Sequence, residues 1–352
     1  MCTDEIARGT GIRLRSFWPR AVVGRGDRGR DGLSTPKGTW TMTSVTYLDA
    51  AAVRAALTPA AAVEAIAGAL TEGFDPAGDI ARVGPTTSHG QFLLMPSEVG
   101  AHAGVKVATV APGNAGRGLP RIQATYLLYD AETLSLTAVL DGTALTALRT
   151  PAVAVAAARS ALTRIDRPAQ VVIVGAGPQA VWHADTLRAV LGHEPAAVSF
   201  VVRRPERAGA DVRGRGVVLT AGGTEASQAL GSADVVVCAT SARTPLFPAD
   251  AVGPEAVVIA IGSHEPDARE LDPALLAGAT VIVEDRASAL REAGDVVLAI
   301  RDGAIGEREL VAMADAVRDP ASVPGGRRTV VKTVGMSWQD LVIAEAVHAR
   351  SR

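Results

Sequence analysis

The spacing of apolar residues changes near the middle of the chain. From Asp49 they recur at helical spacing, which predicts a short helix to Leu57 and a second helix that begins at Thr58-Pro59 with an N-cap and a first-turn proline. Shorter apolar runs, separated by turns rich in Gly, Pro and Asp, then predict strands at 80–83, 92–95, 105–110, 122–129 and 135–140. Asp141-Gly142 ends this mainly β first unit, and a long Ala-rich helix is predicted to follow over about 150–162.

Continuous apolar runs replace this pattern after residue 168. The run Val171-Val172-Ile173-Val174 is typical of a strand that is buried on both faces. Similar runs follow at 198–202, 217–219, 235–238, 257–261 and 281–283, with helix-compatible segments between several of them. This alternation predicts an α/β fold with a doubly wound parallel sheet. The last segment, 330–349, ends in a predicted helix that can return to the first unit.

Residues 1–41 differ from the rest of the chain. Arginines are scattered there among Gly, Asp and Thr, with no helical or alternating period. We expect a disordered extension, or an upstream start codon chosen in place of Met42. A basic arm for nucleic acid binding or organelle import is the alternative.

Composition excludes several functional classes. In 352 residues, 35 Lys and Arg face 37 Asp and Glu, and aromatic residues make up 3%, so we expect neither nucleic acid nor an anionic membrane as a partner. The cysteines, Cys2 and Cys238, show no disulfide framework or zinc spacing, so we expect no metal and a cytoplasmic location. No apolar run approaches the ~18–20 residues of a membrane span.

A glycine turn follows the first buried strand of the second half. In Gly175-Ala176-Gly177-Pro178-Gln179-Ala180, Gly175 can make the tight turn and Gly177 lets a pyrophosphate approach the backbone. The helix predicted from Pro178 to Leu191 directs its N-terminal N–H groups at the phosphates. The pattern predicts dinucleotide binding, and a purely structural tight turn is the alternative.

The end of the next strand indicates which dinucleotide is bound. NAD enzymes usually place an acid there for the ribose 2′-hydroxyl, whereas this chain has Arg203-Arg204-Pro205. Guanidinium groups pair with a 2′-phosphate that a carboxylate would repel. We expect NADP(H) to be preferred, with NAD(H) possible. A solvated basic turn is the alternative.

Three cations stand out in the first unit. Lys106 interrupts an apolar strand, Arg82 lies beside a short strand, and Arg149 lies at the entry to the predicted Ala-rich helix. A cation in an apolar run is costly unless it is paired, and a small anionic ligand can supply the partner. The alternative is internal salt bridges with acids such as Glu98, Asp130 or Asp141.

These motifs, in this order, resemble the ornithine cyclodeaminase/μ-crystallin family. The resemblance covers residues 47–347 and leaves only the N-terminal extension outside. It is carried by Leu94-Met95-Pro96, Gly104-Val105-Lys106, Pro112-Gly113-Asn114, Gly118-Leu119-Pro120, Leu145-Thr146-Ala147-Leu148-Arg149-Thr150, the glycine turn, Ala239-Thr240-Ser241, the segment 262–271 and Thr333-Val334-Gly335-Met336.

The resemblance implies two domains and a small-molecule substrate. Residues 42–150, completed by 325–352, would form a mixed α+β substrate/dimerisation domain of a homodimer, and 151–324 a Rossmann-type NADP-binding domain. An α-imino or α-amino acid would bind through Arg82, Lys106 and Arg149, with Val334 beside it. The implied dinucleotide contacts, beyond Gly175, are Gly177, Pro178, Gln179, Arg203, Arg204, Ala239, Thr240, Ile261 and Thr333.

One departure from the family pattern favours a reductase. Cyclodeaminases of the family carry an Asp shortly after the glycine of the fifth Rossmann strand, where this chain has His264. Asp267, three residues on, is predicted to cap a turn or the following helix. The segment looks more like that of members that reduce cyclic ketimines. Lys106 and His264 are then the candidate catalytic proton donors, with an ordered water as the alternative.

The sequence and the resemblance together predict three candidate functions. The first is NADPH-dependent reduction of Δ1-pyrroline-2-carboxylate or Δ1-piperideine-2-carboxylate to L-proline or L-pipecolate. The second is an ornithine cyclodeaminase or an alanine-type amino-acid dehydrogenase. The third is a non-catalytic, NADPH-dependent binder of a small ligand.

Overall fold

A mixed sheet of six strands forms the first part of the fold. The computed structural model describes residues 45–351. The N-terminal extension predicted for 1–41 lies outside the described residues. The strands are β1 Thr46–Leu48, β2 Thr86–Thr87, β3 Gly90–Val99, β4 His102–Val110, β5 Ile122–Asp130 and β6 Leu136–Asp141. Their order is β1-β6-β5-β4-β3-β2, and only the β1–β6 pair is parallel.

A second sheet has eight strands, and all of its neighbouring pairs are parallel. Its strands are β7 Gln170–Val174, β8 Ala197–Val202, β9 Val217–Thr220, β10 Val235–Cys238, β11 Val257–Ala260, β12 Thr280–Val283, β13 Leu310–Ala312 and β14 Thr329–Lys332. The order β13-β12-β14-β11-β10-β7-β8-β9 confirms the predicted α/β fold, a doubly wound parallel sheet beside a mixed α+β unit.

Helices cover both sheets. Their bounds are α1 Ala50–Ala56, α2 Pro59–Thr71, α3 Gly142–Leu162, α4 Pro178–Val190, α5 Ala210–Arg213, α6 Thr224–Gly231, α7 Arg286–Glu292, α8 Gly294–Arg301, α9 Met313–Arg318 and α10 Ser337–Arg350. Asp49 and Thr58 cap α1 and α2, which confirms the two predicted helix starts. No single helix among residues 45–351 is both long and apolar enough to cross a membrane. Helices α1 and α2 have the required length and apolar composition only when they are taken together, and the pair is bent by 75°.

Helix α3 begins eight residues before its predicted start at 150. The carboxylate of Asp141 caps it by accepting a hydrogen bond from the Ala144 N–H at 2.8 Å. Pro151 lies inside the helix. Because proline usually interrupts a helix, its position suggested a helix start near residue 150. The earlier start places Arg149 inside the helix instead of at its entry, and the helix crosses the predicted domain boundary at 150/151.

Other predicted elements also differ from the structure. The segment 80–83 is not a strand and contributes only the bridge between Val83 and Leu94. Four short strands, β1, β2, β13 and β14, were not predicted. Because β14 lies between β11 and β12, the segment 325–352 does not belong wholly to the first domain as predicted. The remainder of the predicted domain division stays a prediction.

Helix α10 closes the inner face of the six-stranded sheet. It packs against β3, β4 and β5 on one side and against α2 and α3 on the other. Trp338, Leu341 and Ile343 are fully buried in this contact. The polar residues at the start of α10 therefore lie between the small sheet and the carboxyl edge of the large one.

Candidate active site

The predicted dinucleotide contacts meet at one edge of the parallel sheet. Ala239, Ile261 and Thr333 each follow a parallel strand, and each extends the ladder by one residue because its N–H donates to a neighbouring strand. The carboxyl edge of a parallel sheet is where such folds bind ligands. The structure thus brings these residues together with Gly175, as the sequence predicts.

The glycine turn fits a dinucleotide. Gly175 has φ of +129°, and a Cβ there would lie 2.5 Å from the Ala239 carbonyl oxygen, so only glycine fits. Gly177 is the N-cap of α4 without a side-chain cap, and nothing lies within 4 Å of the position that its Cβ would take. The uncapped helix start and the open space above it suit a phosphate.

Arg203 and Arg204 lie directly beyond β8, next to that turn. The Gly175 N–H donates to the Val201 carbonyl at 3.0 Å, which joins the turn to the end of β8. Both arginine side chains are exposed, and neither has a hydrogen-bond or ion-pair partner in the described part of the chain. They are therefore available to an anion at this position.

Three buried charges that the sequence reading missed lie behind the same edge. The Glu270 carboxylate accepts hydrogen bonds from Thr240 N at 2.8 Å and from Gly262 N at 2.6 Å. Asp295 accepts from the Glu270 and Leu271 N–H groups, and Lys332 Nζ lies 3.1 Å from Asp295 Oδ2. Burial raises the pKa of Glu270. These groups hold the loops after β10 and β11 in place.

Lys106 points inward from β4 and is almost fully buried. Its Nζ donates to Asp340 Oδ2 at 2.6 Å and to Thr146 Oγ1 at 3.4 Å. Burial lowers the pKa of Lys106 to about 8, against the opposing effect of Asp340, while the positive charges of Arg149 and Arg82 lower it further. The ammonium is therefore poised to lose its proton slightly above neutral pH.

Arg149 approaches the same carboxylate from α3. Its Nη1 donates to Gln339 Oε1 at 2.9 Å, and its Nε lies 3.4 Å from Asp340 Oδ1. A Cβ at Gly335 would lie 2.8 Å from the guanidinium nitrogens, so the glycine permits Arg149 to pack against the backbone. Lys106 and Arg149 thus share Asp340.

The segment that carries Val334 is fixed from the large sheet. Glu284, directly after β12, accepts hydrogen bonds from Val334 N at 2.6 Å and from Gly335 N at 3.0 Å. It also accepts from Gln339 Nε2 at 2.6 Å, and Gln339 in turn contacts Arg149. Glu284 therefore ties the predicted substrate-contacting backbone to the cation site.

Arg82 lies across the same region, before β2. Its guanidinium forms an ion pair with Glu292 at the end of α7, and its Nη1 donates to the Gly335 carbonyl at 3.4 Å. Burial lowers the pKa of Arg82. A small cavity of about 30 Å³, lined among others by Arg82, Val334 and Gly335, lies here and has room for a water molecule.

Thr146 links the cation site to the glycine turn. Its hydroxyl accepts from Lys106 Nζ, and its carbonyl accepts from Gln179 Nε2 at 3.4 Å. The other amide atom, Gln179 Oε1, is buried and has no hydrogen-bond partner in residues 45–351. Thr146 therefore bridges Gln179, in the first turn of α4, and Lys106, a predicted substrate-binding cation.

The cations do pair with acids of the chain, but not with the three predicted ones. Asp141 caps α3, Asp130 binds Thr133, and Glu98 is exposed. The partners are Asp340 and Glu292, which come from segments 191 to 234 residues further along the chain. Their only signal in the sequence is an acid within the apolar pattern of α10 and another at the end of α7.

Comparison with known proteins places the chain in a family. The profile of the ornithine cyclodeaminase/mu-crystallin family matches residues 48–352. The chain belongs to that family. A family member from Paracoccus denitrificans, a Delta(1)-pyrroline-2-carboxylate reductase, is 37% identical over 255 residues, which are 69% of this chain and 78% of that protein.

A second relative supports the assignment, and a solved structure shows the fold. The ketimine reductase mu-crystallin of Mus musculus is 32% identical over 268 residues, which are 75% of this chain and 82% of that protein. The Delta(1)-pyrroline-2-carboxylate reductase of Thermococcus litoralis, solved with NADH and L-proline, superposes with a TM-score of 0.73 at 24% identity. That alignment covers 87% of this chain and 97% of the other, and it shows a shared fold.

His264, one of the two predicted proton donors, lies in the loop after β11. It is exposed, and its Nδ1 lies 3.3 Å from the Gly262 carbonyl. Desolvation lowers the pKa of His264, and the charges of Arg82 and Lys332 lower it further. Asp267 was predicted to cap a turn or the following helix, but its carboxylate instead pairs with Arg243 at 2.7 Å on the surface.

No group of three or more His, Cys, Asp or Glu side chains is placed to hold a metal ion within residues 45–351. Cys238 lies fully buried in β10. His183 is buried in α4, and its Nδ1 lies 2.7 Å from the Gln179 carbonyl oxygen.

Proposed function

We propose that this protein is an NADPH-dependent oxidoreductase that reduces the C=N bond of a cyclic ketimine carboxylate. The proposed substrates are Δ1-pyrroline-2-carboxylate and Δ1-piperideine-2-carboxylate, and the products are L-proline and L-pipecolate. The observation that carries the proposal is the double contact of Thr146, with Lys106 on one side and Gln179 of the dinucleotide turn on the other. Reductases of such imines are among the relatives described above.

The cations would hold the substrate carboxylate. Lys106 and Arg149 approach Asp340 from different elements, and Arg82 reaches the region from the loop before β2. Among the described residues, the hydrogen bonds of Arg149 use Nη1 and leave Nη2 for a ligand. Holding a carboxylate in this way orients the ring and removes much of the entropic cost of reaction.

The reaction also needs a proton on the ring nitrogen. When bound, a reduced nicotinamide dinucleotide supplies the hydride that the imine carbon accepts. Lys106 is the proposed proton donor because burial brings the pKa of its ammonium to about 8, close to the working pH. His264 is the second proposed donor, although its ring is exposed and its lowered pKa leaves it mostly neutral at pH 7.

A preference for NADP(H) over NAD(H) is part of the proposal. Arg203 and Arg204 are exposed, have no partner among the described residues and follow β8, where the 2′-substituent of the ribose is read. Each charge-assisted bond to a phosphate contributes ~1.5–3 kcal/mol, which corresponds to a tenfold or larger preference.

Cyclodeamination is less well supported by the site. The position at which the family's cyclodeaminases carry an Asp holds His264, and the nearby Asp267 is occupied by Arg243. An alanine-type dehydrogenase and a non-catalytic NADPH-dependent binder use the same pocket and remain the alternatives. The proposed direction is reduction, which agrees with the use of NADPH.

A homodimer is the proposed assembly. The face of the small sheet opposite α10 carries a row of half-exposed apolar side chains that α10 does not cover. They are Leu94, Pro96, Val105, Val107, Leu127 and Val139. A second copy of the chain would cover such a patch. Light scattering should give twice the 36.0 kDa of one chain, and a monomer at micromolar concentration would contradict this assembly.

The function is tested by incubating the purified protein with each cyclic ketimine and NADPH and by measuring NADPH consumption and the amino acid formed. Parallel reactions supply NAD+ or NADP+ with L-ornithine or L-alanine and measure ammonia. We expect NADPH consumption matched by L-proline or L-pipecolate. Ammonia release without ketimine reduction would support the deaminating alternatives, and NADPH binding without turnover would support the binder.

A further inference from the structure

Asp340 is the point at which the two buried cations of the site meet. Its Oδ2 lies 2.6 Å from Lys106 Nζ and its Oδ1 lies 3.4 Å from Arg149 Nε, and the residue is fully buried in the first turn of α10. The two carboxylate oxygens therefore face different cations. A buried charge of this kind is tolerated only when it is paired, so Asp340 and its two partners form one interdependent unit.

The use of lysine in this chain is selective. Among 35 basic residues only three are lysines, namely Lys37, Lys106 and Lys332, and both of those in the described part of the chain are buried. The other residues of this basic set are arginines. Arginine stays protonated in proteins, whereas a buried lysine can lose its proton near neutral pH. Positions 106 and 332 thus carry buried cations that can lose a proton, whereas the other basic residues of the described chain are arginines.

The groups that face Lys106 act on its charge in opposite directions. Arg149 from α3 and Arg82 from the loop before β2 are positive, and both disfavour the ammonium, as does burial itself. Tyr126 of β5 pairs with Lys106 across the sheet, and burial together with Asp340 and Asp79 keeps its hydroxyl protonated. Of these neighbours, Asp340 is the one that favours the charged form of Lys106.

We propose that Asp340 is a positioning residue that holds Lys106 and Arg149 as one anion-binding pair and keeps Lys106 an ammonium at neutral pH. This role rests on the proposed function, because the pair is the proposed seat of the substrate carboxylate. Asp340 contacts the cations and not the reacting atoms. Without it, two buried cations would lie close together with no counter-charge between them, and the lysine is the one able to release a proton.

The direct test follows the side-chain signals of isotope-labelled lysine by NMR while the pH is raised. With three lysines the spectrum is simple, and the signal missing from Lys106→Arg identifies Lys106. In Asp340→Asn we expect the midpoint of Lys106 to move to lower pH by about 1–3 units, the effect of losing a neighbouring opposite charge. An unchanged midpoint in the folded variant would overturn the proposal.

Asp79→Asn is the matched control. Asp79 is also a largely buried carboxylate beside α10, but it accepts from Ser97 Oγ at 2.7 Å and from Trp338 N at 3.0 Å and contacts neither cation. We expect the Lys106 midpoint to stay within a few tenths of a pH unit of the wild-type value. An equal shift in both variants would mean that any change beside α10 alters Lys106, which overturns a specific role for Asp340.

Asp340→Asn could fail to fold because it leaves two cations unpaired. The second variant is then Asp340→Asn combined with Lys106→Met, which removes the unpaired ammonium together with its partner. Recovery of a cooperative unfolding transition supports the pairing. Failure of the double variant to fold would show that Asp340 is required for reasons independent of Lys106.

Kinetics provide a second readout. If ketimine reduction occurs, the loss of kcat/KM in Asp340→Asn should grow as pH rises from 6 to 8 and should lose this pH dependence in a Lys106→Arg background. A loss that is equal at every pH contradicts the proposal. The NMR titration needs no turnover, so failure of the ketimine assay with a shifted Lys106 midpoint refutes the proposed function alone.

Discussion

The guanidinium of Arg82 forms an ion pair with the carboxylate of Glu292, although 210 residues separate them along the chain. Arg82 lies just before β2 of the small sheet, and Glu292 ends α7 beside the large one. The proposed substrate carboxylate therefore meets an arginine that already has an anionic partner. We therefore expect Glu292 to compete with the proposed substrate for Arg82.

Glu292→Gln should strengthen substrate binding. The amide keeps the shape of the side chain but removes the charge that repels an anionic substrate, so we expect KM for the ketimine to fall by about 3–10-fold, or ~1 kcal/mol. The matched control is Glu194→Gln, which breaks the surface pair with Arg188 and should leave KM unchanged. A rise in KM for Glu292→Gln would show that Glu292 orients Arg82 and does not compete for it.

Lys106→Arg should change the pH profile of the reaction. In the wild type the ammonium is present below pH 8 and is lost above it, so kcat/KM should fall as pH rises through about 8. A guanidinium does not titrate in this range, so the variant should lose that alkaline fall while its kcat/KM at pH 7 drops because the geometry differs. If both proteins show the same alkaline limb, another group titrates there.

Arg149→Ala should lose much of the transition-state binding. Removing a buried cation that holds the substrate carboxylate is expected to cost ~2–4 kcal/mol, which is a loss of about 30–1000-fold in kcat/KM. Thermal unfolding of the variant serves as the control for folding. A folded variant with unchanged kcat/KM would exclude Arg149 from the site.

Replacement of both Arg203 and Arg204 by alanine should abolish the preference for NADPH. The two guanidinium groups are exposed and have no partner in residues 45–351, so their loss should not affect the fold. We expect KM for NADPH to rise at least tenfold while KM for NADH changes little. An equal rise for both cofactors, or a wild type that already prefers NADH, contradicts the assignment.

His264→Gln should retain most of the activity near neutral pH. The ring is exposed, and its lowered pKa leaves it mostly neutral at pH 7, so water can replace it as a proton source. We expect kcat to change by less than about threefold, measured between pH 6 and 8. A loss of about 100-fold or more, typical of a general acid, would make His264 and not Lys106 the proton donor.

The sequence predicted those parts of the fold that have a local signal. Strands buried on both faces leave continuous apolar runs, so β7, β8 and β10 were found within a residue of their bounds. The start of α3 was missed because Pro151 resembles a helix boundary, whereas the Asp141 cap lies ten residues earlier. β14 was missed because its insertion between β11 and β12 follows from tertiary packing.

The candidate site was predicted in part for the same reason. Lys106 stands out because a charge interrupts an apolar strand, and Gly175 stands out because its turn has a fixed pattern. Asp340 shows no such signal, because it comes to Lys106 from 234 positions further along the chain. Its role depends on how α10 packs over the small sheet, and only the three-dimensional structure supplies that contact.

The most direct test of the central claim is the fate of a labelled hydride. The protein is supplied with Δ1-pyrroline-2-carboxylate and with NADPH that carries deuterium at the transferable position of the nicotinamide, and the product is examined by NMR and mass spectrometry. We predict L-proline with one deuterium at C2. The absence of L-proline, or L-proline without deuterium at C2, would contradict the account.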